Sequence, residues 1–469
     1  MSITWSEQDL ADFSFRNWSI DAANLQREQV RQGANPVEAM GPCTAGDGLI
    51  VLSKGEKANA AESASRMLSS NDACIRFVPA SGAASRMFAL LRKPLSDSLR
   101  QRLDSEAVDF PFWTEAQRSS LRSLPALERS AAAVKWMLDE KSGLAHLPKG
   151  LIPFHQYTDG SVRNSFEEHV AEWQQLAGTA PIHFTVPQAF QAQIEGLFPA
   201  SANASTSVQM LQTDTLAWDV ESNDLARHPD GSLLFRPGGH GALLANLHAV
   251  AKNASFILIR NIDNVVPTPS MAMRNSAESH LLGVCVDLTE QRDALLREAD
   301  ADDTRWKGRA VEWLSSFDRS VDANWSVSKL LEAIDRPIRV AGMVLNEGAP
   351  GGGPFWVRYS SGAISPAIVE SAELPEGAIG QGTHFNPVDL ICSVRRHDGT
   401  HYDLNEYAES TMFFTAKKDW QGRSIRILER PGLWNGAMAK WLTQFVEVPV
   451  ETFAPVKTVV DLLHSGRRV

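Results

Sequence analysis

Short apolar strands followed by a small-residue turn and a helical segment recur between residues 74 and 265, and this pattern restricts the fold more than any other feature. In ACIRFVPASGAASRMFALL, an apolar strand leads into a turn around Gly82 and a helix expected to begin near Ala84 or Ser85. In DGSLLFRPGGHGALLANLHAV, a loop leads into a helix, and the strand SFILIRNIDNVV follows. Such units predict an α/β fold with a mixed, mainly parallel sheet flanked by helices.

The rest of the chain is arranged around this sheet. Residues 1–70 carry helical spacing and capping signals and predict a helical N-terminal extension, with Ser6 ahead of an acidic first turn. Residues 71–469 are predicted to form one α/β domain, with a helical insertion at about 89–147 and a strand-rich C-terminal part at about 338–469. A closing helix is expected near 434–445. Six arginines of the insertion are interspersed among acids, which favours a solvated helical face.

Composition excludes several classes of function. The net charge of −11 over 469 residues argues against a nucleic-acid or anionic membrane partner, because both require clustered Lys and Arg. The N-terminus MSITWSEQDLADF is acidic, and no apolar run approaches the ~18 residues of a membrane helix. Four widely spaced cysteines predict reduced, structural thiols. We therefore expect a cytoplasmic globular protein.

Two segments carry candidate chemistry. Glycines at 238, 239 and 241 surround His240 and allow backbone to approach a ligand closely. Asp263 follows a buried strand, where open α/β sheets hold their ligands. A strand-end Asp is as often a helix cap as a metal ligand, and a lone His is more often structural than catalytic. The loop at Gly82 has the strand–turn–helix form that binds anions.

Five segments resemble, in order, those of UDP-glucose and UDP-N-acetylglucosamine pyrophosphorylases. PGGHGALLANL and NIDN resemble the Gly-His-Gly and Asn-x-Asp-Asn segments, and ETFAPVKTVVDLL resembles the Phe-x-Pro-Val-Lys segment. IVESAELP is similar to the sugar-contacting Glu segment, and PASGAASRM stands at the Gly-Gly-x-Gly-Thr-Arg nucleotide loop, of which only Gly82 remains. The resemblance spans roughly residues 74 to 463 and implies a Rossmann-like nucleotidyltransferase sheet. The whole chain is most similar to a bacterial branch of this superfamily described as a domain of unknown function.

The resemblance implies transfer of a nucleotidyl group, with uridylyl favoured, from a nucleoside triphosphate to a sugar 1-phosphate with release of pyrophosphate. Mg²⁺ would bridge phosphates, with Asp263 as its protein ligand. Four residues form the predicted catalytic set: Arg86, Lys149, Asp263 and Lys457. The predicted substrate-binding residues are Ala80, Ser81, Gly82, Ala83, Gln212, Gly238, Gly239, His240, Gly241, Glu370 and Asn386. The sugar, the base and the oligomeric state stay open.

Two other functions stay open. The reduced glycine content of the first loop is consistent with a non-catalytic protein that binds nucleotide sugars. A metal hydrolase built from His384, His397, His401 and Asp389 is also conceivable, although their spacing matches no metal motif.

Overall fold

The computed structural model describes residues 5–34, 36–70, 74–139, 143–300, 303–348, 352–374 and 382–467. The fold is α/β, with a mixed, mainly parallel central sheet flanked by helices, which confirms the predicted fold class. The chain divides into two compact units, neither of them continuous in sequence. Unit 1 comprises Met1–Ala73, Gln209–Ile257 and Leu281–Val448, and unit 2 comprises Cys74–Val208, Leu258–His280 and Pro449–Val469.

The α-helices of the described residues range from one to eight turns. They are Glu7–Phe15, Ile20–Gln32, Lys54–Leu68, Asp97–Glu106, Glu115–Ser123, Ala126–Leu138, Ser165–Ala177, Gln191–Glu195, Leu244–Ala251, Thr268–Arg297, Thr304–Ser315 and Val327–Ile334. In the described part of the chain, no helix combines the length and apolarity needed to cross a membrane.

Unit 1 holds the longest strands. Gly48–Ile50, Leu442–Glu447 and Ile338–Leu345 pair in parallel, with Thr44–Ala45 at one edge and His384–Ser393 antiparallel to Ile338–Leu345. A three-stranded antiparallel sheet contains Glu38–Pro42, Gly353–Arg358 and Ile364–Val369. A further antiparallel sheet contains Asp224–Leu225, Thr215–Asp219, Arg423–Glu429 and Phe414–Trp420, with Phe235–Arg236 paired to Thr215–Asp219.

Unit 2 contains a smaller parallel arrangement. Strands Cys74–Pro79, Ile182–Thr185 and Ala204–Ser207 pair in parallel, and Pro153–Gln156 forms a hairpin with Val162–Asn164. Strand Phe256–Arg260 and helix Thr268–Arg297 each have residues in both units. Every residue of Phe256–Arg260 is buried, as its apolar sequence predicts.

The N-terminal segment contains helices and strands. Ser6 caps the first helix, since its side chain accepts from the N–H of Asp9 at 3.1 Å while the Asp9 carboxylate accepts from the N–H of Ser6. Between Ile20–Gln32 and Lys54–Leu68, however, the chain forms three short strands within residues 38–50. Helical spacing therefore describes only part of this segment.

Two predicted helices are wrong. After Gly82 the chain makes only 3₁₀ turns, at Ala84–Arg86 and Ala89–Arg92. No side chain caps the first of these turns, and Pro94 disfavours helical backbone at the residue before it. The helix expected near 434–445 is instead a 3₁₀ turn followed by strand Leu442–Glu447, whose Thr, Phe and Val residues favour extended backbone.

The insertion at 89–147 is helical, as predicted, and its Leu103, Phe110 and Leu121 belong to an apolar core shared with Phe154 and Val456. Arg118 is one of the six arginines predicted to lie on a solvated helical face, and it does not lie there. This side chain is buried and donates to the carbonyl of Val108 at 2.9 Å and to Gln156 at 3.0 Å. It therefore holds the insertion to the hairpin strand Pro153–Gln156.

A buried carboxyl in unit 1 makes stability depend on pH. Burial raises the pKa of Glu373 from 4.5 to about 7, despite its hydrogen bond from the N–H of Glu370. Because the folded state binds this proton more tightly, stability is lost as pH rises from about 4.5 to 7. We expect Glu373→Gln to raise the free energy of unfolding at pH 8 by on the order of 2 kcal/mol and to change it little at pH 4.

Urea denaturation of both proteins at the two pH values measures this difference. Exposed Glu312→Gln is the matched control and should leave the pH dependence unchanged. An equal effect of Glu373→Gln at pH 4 and pH 8 would contradict the assignment.

Candidate functional site

The loop after strand Cys74–Pro79 is fixed to the segment that carries Lys149. The N–H of Lys149 donates to the carbonyl of Gly82 at 3.2 Å, and the N–H of Ala84 donates to that of Leu147 at 3.0 Å. Ala80 is buried, whereas Gly82, Ala83 and Arg86 are exposed and Ser81 is half-buried. The first predicted loop and the predicted lysine are therefore neighbours.

Lys149 also reaches the strand-end carboxylate. Its ammonium lies 2.6 Å from Oδ2 of Asp263, and the two side chains are 16% and 25% exposed. A pair this accessible contributes little to stability, because water competes for both charges. Its main effect is to fix where one cation and one anion lie.

Asp263 is joined in turn to the C-terminal segment. Its carbonyl accepts from the N–H of Val456 at 3.0 Å, and the Asn264 side chain accepts from the N–H of Ala454 at 2.9 Å. The N–H of Val459 then donates to the carbonyl of Met87 at 3.1 Å. This hydrogen bond connects the C-terminal segment to the first loop. Residues 82–87, 148–150, 261–264 and 454–459 thus form a closed circuit, here called the four-segment ring.

Lys457 lies on this ring between the two C-terminal backbone contacts. Its N–H donates to Oδ2 of Asp461 at 2.9 Å, and its exposed ammonium lies 5.5 Å from the centre of the Phe453 ring. Pro455 precedes it by two residues and restricts the backbone. All four predicted catalytic residues, Arg86, Lys149, Asp263 and Lys457, belong to unit 2 and to the ring.

A buried ion network lies next to the ring within unit 2. Arg76 donates to Glu172 at 3.0 Å and also to Glu278, while Arg260 contacts the same two glutamates. Arg274 lies 3.8 Å from Glu172 and donates to the Asn264 side chain at 3.3 Å. Burial and these arginines keep the pKa of nearby His169 well below its ordinary value.

Arg467 connects the C-terminal segment to residues beside the four-segment ring. Its Nη1 donates to the carbonyl of Val265 at 2.9 Å and to Nε2 of His155 at 2.8 Å, and its Nη2 donates to the carbonyl of Ala454. Burial lowers the pKa of His155, so its neutral ring can accept from Arg467 and donate through Nδ1 to Glu168 at 2.8 Å. Burial also lowers the pKa of Arg467 to about 10.

These buried arginines were not predicted from the sequence. An arginine inside an apolar strand, as in CIRFVP and FILIR, is a usable signal of a buried ion pair, because such a charge is rarely buried alone. The C-terminal HSGRRV offers no comparable signal, since basic residues near a terminus are usually solvated.

The ring offers one carboxylate for a metal ion. Asp263 is half-buried and pairs with the Lys149 ammonium. A single carboxylate suits Mg²⁺, since this ion is usually held by one or two carboxylates plus substrate phosphate oxygens. Among the described residues, no group of three or more His, Cys, Asp or Glu is placed to hold a metal on its own.

The remaining predicted residues lie in unit 1. Arg430 links two of their segments, because its Nε donates to the carbonyl of Thr213 at 2.8 Å and its N–H donates to the carbonyl of Gly238 at 2.9 Å. Its Nη2 donates to the carbonyl of Gln212 at 3.2 Å. A Cβ at Gly241 would lie 2.1 Å from the carbonyl of Pro431. The glycines are thus required by packing of the chain against itself.

His240, Glu370 and Asn386 have separate surroundings. Nδ1 of His240 accepts from the N–H of Leu433 at 3.1 Å, and its ring stacks on Trp434 with centroids 5.5 Å apart. Glu370 caps the 3₁₀ turn Ser371–Glu373. Asn386 lies in strand His384–Ser393, and its side chain is outside the described residues. The binding roles of these residues stay predictions.

A family model matches residues 6–468, nearly the whole chain, and is described as Domain of unknown function (DUF4301). The chain belongs to the DUF4301 family. A search of curated proteins returned no match.

Solved structures similar to this chain include pyrophosphorylases. The UDP-N-acetylglucosamine pyrophosphorylase of Trypanosoma brucei, solved with an inhibitor, gives a TM-score of 0.52 at 12% identity, over 98% of this chain and 79% of that one. A UDP-glucose pyrophosphorylase of Leishmania major, in complex with UDP-glucose, gives 0.47 at 12% identity, over 99% and 80%, a score too low to add weight. The first likeness establishes the fold and leaves the reaction open.

The Arg467 contacts predict a large effect on stability. Arg467→Ala removes the donor to two carbonyls and to His155, so we expect the free energy of unfolding to fall by about 2–4 kcal/mol. Arg467→Lys should restore little, because an ammonium cannot reproduce the planar guanidinium fork.

Denaturant unfolding measures both variants, and exposed Arg100→Ala is the control, expected within about 0.5 kcal/mol of the unmodified protein. If Arg467→Ala and Arg100→Ala unfold alike, the C-terminal arginine does not hold the ring.

Proposed function

We propose that this protein is a nucleotidyltransferase that joins a nucleoside monophosphate unit, with uridylyl favoured, to a sugar 1-phosphate. The observation that supports the proposal is the four-segment ring, in which Lys149 pairs with the carboxylate of Asp263 while Arg86 and Lys457 stand on segments joined to it by backbone hydrogen bonds. Three cations and one acid suit a reaction between two phosphorylated substrates. The T. brucei enzyme of the same fold supports this reading by analogy only.

In the proposed reaction, a phosphate oxygen of the sugar 1-phosphate attacks the α-phosphorus of the nucleoside triphosphate. A new P–O bond forms, the bond from the α-phosphorus to the β-phosphate oxygen breaks, and pyrophosphate leaves with that electron pair. Both substrates are anions, so positioning and charge neutralisation provide most of the rate enhancement. No side chain needs to form a covalent bond to substrate.

Each ring residue has a role in this scheme. Asp263 would hold Mg²⁺, which when bound withdraws charge from the phosphate oxygens. Lys149, already beside that carboxylate, would contact phosphate oxygens as a compact charge. Arg86 would grip a phosphate with two parallel hydrogen bonds, and Lys457 would neutralise charge on the departing pyrophosphate.

A non-catalytic nucleotide-sugar-binding protein is the second candidate, and one observation favours it. The loop at Gly82 leads into the three-residue turn Ala84–Arg86, so it lacks the aligned N–H groups that a longer helix start presents to a triphosphate. Melting the full chain with UTP and with UDP-glucose, each with and without Mg²⁺, separates the candidates. Stabilisation by UDP-glucose alone, with no pyrophosphate release under any condition, would favour the binding protein.

The first functional prediction concerns Asp263. We expect Asp263→Ala and Asp263→Asn to abolish Mg²⁺-dependent pyrophosphate release, assayed over a panel of nucleoside triphosphates and sugar 1-phosphates. The free energy of unfolding should change by no more than about 1 kcal/mol, because the ion pair with Lys149 is accessible to water. Exposed Asp159→Asn is the matched control. Full activity of Asp263→Ala would refute the metal assignment.

The second functional prediction concerns Lys457. A charge-assisted contact made in the transition state is worth about 2–4 kcal/mol, so Lys457→Ala should lower kcat roughly 30- to 900-fold and weaken nucleotide binding much less. Lys457→Arg should rescue poorly, because a planar fork differs in shape from a point charge.

Steady-state kinetics and calorimetric titration with the nucleotide measure the two effects separately. Lys135 is exposed on helix Ala126–Leu138 of the same unit, and Lys135→Ala should match the unmodified protein. Unchanged kcat and affinity in Lys457→Ala would show that Lys457 is an ordinary surface residue.

A further inference from the structure

Unit 1 contains a polar cavity of about 1040 Å³ at one edge of its main sheet. Arg336 and Lys440 line it, and each precedes a parallel strand by two residues, Ile338–Leu345 and Leu442–Glu447 respectively. Arg396 also lines it and follows His384–Ser393, whose end Ser393 pairs with Ile338. The cavity therefore lies at the amino ends of the parallel strands.

The cavity lies at the opposite edge of the sheet from the one where substrates of α/β proteins usually bind. Open α/β sheets bind substrates beyond the carboxyl ends of their strands, which in this sheet are Leu345 and Glu447. The predicted sugar residue Glu370 follows strand Ile364–Val369, whereas the cavity is lined by Ala363 ahead of that strand. Six extended residues span roughly 20 Å, so the cavity and Glu370 are at opposite ends of this strand.

Arg336 supplies the cavity with a positive charge, and Asp318 and Glu332 of the same lining act on it only from beyond ion-pair distance. Its Nε donates to the carbonyl of Ala333 at 2.7 Å, and its Nη1 lies 3.5 Å from the carbonyl of Lys440. Across the described residues, no carboxylate lies within ion-pair distance of this guanidinium, and burial lowers its pKa. Two backbone carbonyls thus orient the cation, and its Nη2 is left for a ligand.

The acids of the cavity interior already have protein donors. Asp335 accepts from Arg396 and, at 2.8 Å, from the hydroxyl of Tyr402. Asp318 accepts from the N–H groups of Ser320 at 2.8 Å and Ile364 at 3.0 Å. Glu409 accepts from the hydroxyl of Thr411 at 2.8 Å. Glu332 and Glu406, the other two acids of the lining, are exposed.

Hydroxyl groups and lysines complete the lining. Ser360 and Ser361 lie in the turn between strands Gly353–Arg358 and Ile364–Val369, and Lys329 and Lys440 are exposed at the rim. A lining of this kind suits a polar body of many oxygens better than an apolar one. The volume is ample for a metabolite-sized ligand.

We propose that this cavity is a second ligand site, which takes a small phosphorylated or carboxylated metabolite with its anionic group on Arg336 and its hydroxyls toward Ser360 and Ser361. The site is independent of the four-segment ring and of the proposed transfer reaction, because all its residues lie in unit 1 and all the ring residues in unit 2. Lys440 at the rim adds charge without specifying orientation.

Calorimetric titration of the full chain tests the site, with inorganic phosphate and citrate as separate probes. Binding of phosphate indicates a phosphoryl ligand, and binding of citrate indicates a carboxylate. Arg336→Gln should weaken the bound probe tenfold or more, since a hydrogen bond to a charged group is typically worth more than the ~1.4 kcal/mol that corresponds to tenfold. Lys418→Gln removes an exposed charge elsewhere in unit 1 and should leave affinity unchanged.

Two further variants keep the outcome clear. Ser361→Glu places a negative charge in an exposed turn at the rim and should weaken binding similarly, even if Arg336→Gln unfolds. Lys457→Ala changes the ring and should leave binding at the cavity unchanged. If the phosphate bound at the ring instead, Lys457→Ala would abolish the binding signal. Absence of binding by both probes, or binding that survives both Arg336→Gln and Ser361→Glu, would overturn the proposal.

Discussion

The buried contact of Arg76 and Arg260 with Glu172 and Glu278 is the interaction on which unit 2 depends. Four charges without access to water are tolerable only if each is paired, and loss of any one leaves its partner uncompensated at a cost of about 3–5 kcal/mol. Arg260 ends its strand three residues before Asp263. The network thereby fixes the point at which the chain leaves the sheet, and the turn at 261–264 begins from a defined position.

The four-segment ring includes the turn that follows this fixed point. Residues 82–87, 148–150, 261–264 and 454–459 are far apart in sequence; backbone hydrogen bonds make three of the links between them, and the Lys149–Asp263 ion pair makes the fourth. Side chains on such a frame lose less freedom on binding a ligand than side chains on a mobile loop. The arrangement therefore suits chemistry in which charge placement, and not a nucleophile, lowers the barrier.

The buried strands and the types of residue in the ring could be predicted from the sequence. The contacts that join the four segments of the ring could not. Buried strands such as Phe256–Arg260 show as apolar runs, and the lysines and Asp263 stand in segments that resemble known ones. The prediction of a helix after Gly82 was wrong. No side chain caps the first turn, and Pro94 disfavours helical backbone at the residue before it, although the composition of the segment is helical. Arg467 was missed because its role depends on acceptors at Ala454, His155 and Val265, which no local pattern identifies.

The glycine motif at 238–241 shows why motif and chemistry have to be judged separately. A Cβ at Gly238 would lie 2.5 Å from the carbonyl of Thr213, and Gly239 has φ +70°, a conformation that favours glycine. Packing alone thus demands glycine at these positions, whatever binds nearby. By contrast, the Lys149–Asp263 ion pair is accessible to water and contributes little to stability, so stability alone does not explain why this cation and this carboxylate stand together. The ring residues are therefore the stronger indication of function.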